Sequence, residues 1–293
     1  MKNIIFFFVG NEDSYRIRKL KESITQFNIS FTLIDVELLS FNVADIATAN
    51  FIKKDCENIG YFIGSFYKSN YIMEMFKDYI HFPQMPAWPL ADKFNAAVFF
   101  QKHNIPTPVT TLIGTHDALP QAISSVGGFP CIIKRTMGSG GNFVEIVNAP
   151  KAITDFIQKI SRNVTPKSIF PRSFSFVLQK PLIKSYGTDY RVLCIGAEVL
   201  GIIKRTAQDG SFKANISLGG KAEVVESIPE IEKMSKKIMQ KSGLFMAGID
   251  FIKNDNDYYA IEINTSPQIK GFEQVTNMNV TKKIIQELLK NKI

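Results

Sequence analysis

Two stretches near the end of the chain restrict its fold most. Ala247 to Ile252 and Tyr258 to Ile263 each read as a β-strand, and they follow one another closely. In the second, Glu262 and Asn264 alternate with Ile261 and Ile263, so a period of two sets both polar residues on one face with the isoleucines behind. Asp250, on an antiparallel partner strand, falls opposite them. Three hard oxygen donors in that arrangement suit Mg²⁺, which binds through a few carboxylates together with substrate phosphates. The same pattern also describes two solvated polar faces of an antiparallel sheet, so the pair requires a sheet without deciding its chemistry.

The remainder alternates strands and helices. Ile4 to Val9 reads as a buried first strand rather than a signal peptide, because the apolar run is very short and Asn11-Glu12-Asp13 follows it without a cleavage site. Tyr15 to Phe27 reads as an amphipathic helix and Phe31 to Ile34 as a second strand, a βαβ opening that lacks a G-x-G-x-x-G. Helices are expected near Ala44 to Cys56 and Ser69 to Tyr79. Pro83, Pro86 and Pro89 then mark a linker. Beyond it, Ala91 to His103 reads as a helix, Val109 to Ile113 as a strand and 115–125 as a helix. Cys131-Ile132-Ile133 and Val144 to Val147 form a hairpin. Strands follow at Phe174 to Leu178, Arg191 to Ile195 and Val199 to Arg205, with helices near 228–242 and 279–291. The expected class is α/β (α+β), divided at 1–90, 91–178 and 179–293.

With 293 residues, 45% of them hydrophobic and 21% charged, the composition excludes a disordered or disulfide-stapled chain. Three scattered cysteines, Cys56, Cys131 and Cys194, in no CxxC pair, fit a reducing cytoplasm, and no apolar stretch approaches a membrane span. The net charge of +8 is concentrated in residues 91–180, a field that favours a polyanion. Lys134 closes one strand of the hairpin and Gly138-Ser139-Gly140-Gly141 begins four residues later. Small residues let backbone N–H groups approach phosphate oxygens, so the pair reads as a phosphate clamp or as an ordinary glycine turn; it is not a Walker A loop. Asp189-Tyr190-Arg191, Lys204-Arg205 and Asn215, ahead of Gly219-Gly220, supply groups able to hold carboxylate or phosphate.

In order, Asp92-Lys93, Ile105-Pro106-Thr107-Pro108, Lys134, the 138–144 loop, Asp189-x-Arg191, Arg205 with Asn215, Asp250 and Glu262-x-Asn264 resemble the ATP-grasp carboxylate-amine ligases, nearest the RimK-type branch. The resemblance covers residues 90–275, with a compatible Rossmann-like pre-ATP-grasp domain before it. It implies that Lys93 and Lys134 contact the ATP phosphates under a loop containing Gly138, Ser139 and Gly141. The segment Gln179, Lys180, Pro181 and Leu182 would receive adenine. Asp250, Glu262 and Asn264 would hold Mg²⁺, or Mn²⁺ in its place. Asp189 and Arg191 would bind substrate, while Arg205 and Asn215 would stabilise the transferring phosphoryl group. The chain departs from the family pattern at Phe143 and Gln268, which stand where glycines are usual, and at Gln179-Lys180, where the hinge commonly begins with glutamate.

The implied activity joins a carboxylate to an amine on an amino acid, peptide or protein substrate, through an acyl phosphate. No nucleophilic side chain is needed for that chemistry, and His81, His103 and His116 fall outside the motifs. A D-alanine:D-alanine-type ligase matches the Arg205 to Asn215 spacing less well. A non-catalytic ATP-binding regulator is the alternative from another class. A nucleic-acid partner is not expected, because the basic segment lacks an aromatic stacking motif. No membrane partner is expected, and a homo-oligomer is, since relatives are often dimers or tetramers.

Overall fold

The computed structural model describes residues 1–290, apart from 41–48, 65–67, 84–87, 115, 139–142, 163–174, 183, 185–186 and 209–219. Among the described residues there are three sheets. The first is parallel, in the order β2-β1-β3, from β1 (Lys2–Phe8), β2 (Ser30–Asp35) and β3 (Glu57–Ile63). Central β1 is buried on both faces, which explains its unbroken apolar run: Ile4 and Phe6 enter one core, Ile5 and Phe7 another. Helix α1 (Tyr15–Ile24) connects β1 to β2 and buries Ile17, Leu20 and Ile24.

The helix expected over Ala44 to Cys56 is not present in its described part, where residues 49–56 form turns. The strand β3 follows at once, and its edge is extended by His81, which bridges to Ile59. Helix α2 (Ser69–Phe76) is shorter than expected, and the proline-rich stretch ends in a short helix, α3 (Trp88–Ala91). A break at Asp92 separates α3 from α4 (Lys93–Lys102): the Asp92 carboxylate accepts the amides of Phe94 at 2.9 Å and Asn95 at 3.0 Å, an N-cap that starts a new helix.

The second sheet is antiparallel, in the order β4-β7-β5-β6, built from β4 (Thr110–Leu112), β5 (Cys131–Arg135), β6 (Val144–Val147) and β7 (Phe176–Gln179). Helices α5 (Leu119–Ser125) and α6 (Pro150–Arg162) cover one of its faces through Leu119, Ile153 and Phe156. The third sheet, also antiparallel, runs β10-β9-β8-β11-β12, from β8 (Thr188–Ile195), β9 (Glu198–Thr206), β10 (Lys221–Val225), β11 (Met246–Asn254) and β12 (Asp257–Asn264). On one face Val192, Ile249 and Ile263 pack with α4 and α7 (Pro229–Ser242). On the other, Leu193, Ile195 and Met246 share a core with Ile4, Phe6, Tyr61 and helices α8 (Lys270–Thr276) and α9 (Val280–Lys290). The parallel sheet and the five-stranded sheet therefore close on a common interior, while the four-stranded sheet has its own. Among the described residues, no helix is long and apolar enough to cross a membrane.

Candidate functional site

The polar face of the five-stranded sheet carries most of the residues singled out in the sequence. Asp250 lies directly opposite Glu262, and Gly248 opposite Asn264, as the period-two reading requires. A register shift beside Asp250 and Phe251 inserts Ile261 as an extra residue in β12, a bulge that keeps Glu262 and Asn264 on the polar face while Ala260 turns inward. Across β8, Arg191 pairs with Asp250, and across β9, Arg205 pairs with Asp189. Further along the same face the side chains become Leu193 and Ile195 and enter the core.

These charged groups form one buried network. Arg191 donates to both Asp250 oxygens at 2.7 Å, Nε to Oδ1 and Nη2 to Oδ2. Arg205, 2% exposed, donates to both Asp189 oxygens at 2.5 and 2.8 Å, and its Nη2 also reaches Asp250 Oδ2 at 3.0 Å. Burial works against the Asp250 charge, but Arg191 and Arg205 outweigh it and hold the carboxyl down at about 2. Asp189 has only a share of Arg205, so burial prevails and pushes its carboxyl up to about 6. Asn264 Nδ2 donates to Gly248 O at 3.3 Å and to Asp250 Oδ2 at 3.2 Å, which turns its Oδ1 away from both acceptors.

The four-stranded sheet supplies cations from the opposite side. On β5, Cys131 and Ile133 point into the core, so alternation directs Ile132 and Lys134 to the other face. Lys134 Nζ donates to Gln179 Oε1 at 2.6 Å, and Gln179 Nε2 donates to Thr110 Oγ1 at 2.9 Å. Burial, aided by the charge of Lys93, lowers the Lys134 ammonium to about 8. Lys93 spans the two sheets: its Nζ donates to Gly138 O at 2.8 Å and stands 3.7 Å from Glu262 Oε1. Its position is fixed by the first turn of α4, where its own amide donates to Thr136 O at 2.9 Å.

After Gln179 the chain leaves β7 with the Lys180 amide bonded to Val109 O at 2.9 Å. Pro181 has no N–H, so Leu182 is the next residue able to offer an amide to a ligand. Gly138 has φ of 137°, a conformation that favours glycine. Phe143, where the family usually has glycine, packs against it: a side chain at 138 would come within 3.1 Å of the ring, which also lies 4.2 Å beneath the Arg135 guanidinium. Ser139, Gly141 and Asn215 lie outside the described residues. Sequence reasoning missed Arg16, whose guanidinium reaches the segment after Asn264. As one basic residue among several on the polar side of α1, it carries no spacing or motif to mark it.

Four cations, Lys93, Lys134, Arg191 and Arg205, thus meet three carboxylates, Asp189, Asp250 and Glu262, between two sheets. Comparison with known proteins gives the same frame. A "Probable alpha-L-glutamate ligase" of Legionella pneumophila is 31% identical over 199 residues, which cover 68% of this chain and 63% of that protein, less than two thirds of its length. The ATP-grasp ligase PsnB, solved with minimal precursor, Mg and ADP, superposes with a TM-score of 0.68 over 97% of both chains at 16% identity. D-alanine–D-alanine ligase from Bacillus anthracis superposes with a TM-score of 0.67 at 16% identity, over 99% of this chain and 97% of its own. Both show the expected α+β ATP-grasp fold. The family model for the RimK-like ATP-grasp domain matches residues 90–288, and by that match the chain belongs to the RimK-like ATP-grasp family.

Proposed function

We propose that this chain is an ATP- and Mg²⁺-dependent carboxylate–amine ligase acting on an amino acid, peptide or protein. The observation that carries the reading is Lys93, whose ammonium joins the base of the glycine loop on one sheet to the Glu262 carboxylate on the other. A triphosphate would lie between these elements, its charge met by Lys93 and Lys134. Glu262 and the outward Oδ1 of Asn264 are oxygen donors of the hardness that Mg²⁺ requires, Mn²⁺ suits the same atoms, and Asp250, whose Oδ2 is taken up by Arg191, Arg205 and Asn264, would join them through the lone pair left on Oδ1. The metal, when bound, neutralises charge that builds up on the phosphoryl oxygens. The glutamate ligase relatives support an amino-acid substrate, and a PsnB structure solved with a precursor peptide supports a peptide.

A carboxylate does not react with an amine unaided. In the proposed reaction a substrate carboxylate oxygen takes the γ-phosphoryl group, forming an acyl phosphate and releasing ADP. The amine then attacks the acyl carbon, phosphate leaves, and the amine proton passes to solvent. Arg205 and Asn215 are assigned to the oxygens of the moving phosphoryl group and Arg191 to the substrate carboxylate, whereas Asp189, expected to bind substrate, accepts from Arg205 through both oxygens and is assigned to holding it. Adenine would meet the backbone at Gln179 to Leu182.

Screening amino acids and peptides in pairs should give ADP release that requires both an acid and an amine. With ¹⁸O in the acid, label should appear in released phosphate. Label leaving with AMP would mean adenylation and would remove the roles given to Arg205 and Asn215. Bound ATP with no productive pair would favour a nucleotide-binding regulator.

The Lys134 ammonium adds a pH dependence. It loses its proton near 8 in the free protein, and a triphosphate favours the charged form, so affinity is full below pH 8 and falls as pH rises through it. Calorimetry at pH 7 and 9 should show ATP binding weakened about tenfold, the change in the protonated fraction across that interval. Lys134→Gln should bind weakly at both values, and a flat wild-type profile would contradict the assignment.

A further inference from the structure

We infer that Arg16 is a positioning residue that clamps the segment following Asn264 and so fixes the metal and substrate end of the cleft. This rests on the ligase reading only for the use made of the cleft. Arg16 Nη1 donates to Ser266 Oγ at 3.1 Å, and Nη2 donates to the Pro267 carbonyl. Two consecutive residues of the loop are therefore held by one planar fork, which a single ammonium cannot reproduce. Among the described residues no carboxylate comes within ion-pair distance of Arg16. Burial lowers the pKa of its guanidinium without discharging it, and the Glu273 carboxylate, beyond ion-pair distance, favours the charged form. A half-buried guanidinium whose described hydrogen bonds go to two neutral oxygens of one loop is placed to hold that loop.

What the clamp reaches is defined by Gly248. A side chain there would come within 2.9 Å of Pro267 Cβ and 3.5 Å of Arg191 Cδ, so Pro267 lies directly over the strand that carries Asp250, beside the arginine that pairs with it. The Gly248 carbonyl also receives the Asn264 amide at 3.3 Å. Pro267 thus borders the space beside Arg191 and Asn264, both of which bond Asp250. Helix α1 cannot follow such a movement, because Tyr15 donates to Glu273 Oε2 at 2.7 Å and Ser23 meets Thr281 at 2.8 Å. Glu273 in turn accepts the Val280 amide at 2.7 Å. The N-terminal unit thus acts as a fixed bracket for a loop belonging to the last sheet.

Hydrogen exchange of the peptide 264–269 in the free protein tests the clamp without any substrate. Arg16→Gln should speed exchange there at least about tenfold, Arg16→Lys should fall between it and wild type, and Lys19→Gln on the same helix should change nothing. ATP affinity of Arg16→Gln should stay within twofold of wild type, because Lys93 and Lys134 stand on α4 and β5. With the acid and amine found by ADP release, the KM for the acid should rise at least about tenfold, with partial rescue by Arg16→Lys. Unchanged exchange overturns the clamp whatever reaction the protein performs. Faster exchange with unaltered KM and kcat overturns its part in the site. If wild type turns over no pair at all, the ligase reading fails, and the exchange result still decides the clamp.

Discussion

Replacing Asp250 with alanine is expected to cost the fold about 3–5 kcal/mol, the range for removing one partner from a buried ion pair. Asp250 is 4% exposed and its carboxylate accepts from Arg191 and Arg205, so alanine would leave the two guanidinium groups with Asp189 alone. Urea unfolding measures the loss. Asp250→Asn, which keeps an acceptor oxygen but not the charge, should fall between alanine and wild type. A change below about 1 kcal/mol for the alanine variant would show that the arginines find other partners, contrary to the network described. The pH limb follows in sign: a carboxyl held near 2 contributes stability that is full above its ordinary value near 3.8 and is lost as pH falls towards 2.

Glu262→Gln should act on turnover and leave stability nearly unchanged. Glu262 is 23% exposed at its side chain and its ion-pair contact is Lys93 at 3.7 Å, so little of the fold depends on it. The charge it would contribute to a metal site is another matter, and losing such a preorganised group should slow turnover by at least about 100-fold. Steady-state ADP release at saturating Mg²⁺, with the melting temperature as control, checks both halves. Wild-type turnover in Glu262→Gln would remove the metal role. The contrast between the two carboxylates matters for interpretation: an inactive Asp250 variant can be inactive because its sheet has lost its centre, whereas an inactive Glu262 variant cannot be explained that way.

The alternation Ile261-Glu262-Ile263-Asn264 made the site strand legible, since a period of two assigns faces without knowledge of the fold. It could not show that Asp250 is bonded by two arginines, because that depends on Arg191 and Arg205 standing on strands whose register no local pattern encodes. β3 escaped for a different reason. Its seven residues contain Gly60 at the centre, which normally weakens a strand assignment, and here glycine is required because the Phe82 ring lies across it. The short apolar segment lies between two expected helices, Ala44 to Cys56 and Ser69 to Tyr79, and carries no alternation to mark it as a strand. Helices α6 and α8 and strand β10 were likewise not anticipated, each adjoining a loop whose composition dominated the local reading. Arg16 is a further kind of loss: its partners are 250 and 251 residues away, and one is a backbone carbonyl.

The interior shared by the first and last parts of the chain has a consequence for how the protein is made. β1 and β3 are synthesised first, yet Ile4, Phe6 and Tyr61 close against Leu193, Phe245 and Leu288. At about 5–20 residues per second, on the order of 10–40 s separate the emergence of Tyr61 from that of Phe245. During that interval the apolar side of the first sheet lacks the cover that the last sheet gives it in the folded protein. Separations this large also slow the final closure, since distant segments must meet before any contact rewards them. Strand β1 also waits for α9, through the Lys2 ammonium that donates to the Leu289 carbonyl at 3.1 Å. The nascent chain, rather than the finished protein, is therefore the form in which this sequence is most open to aggregation.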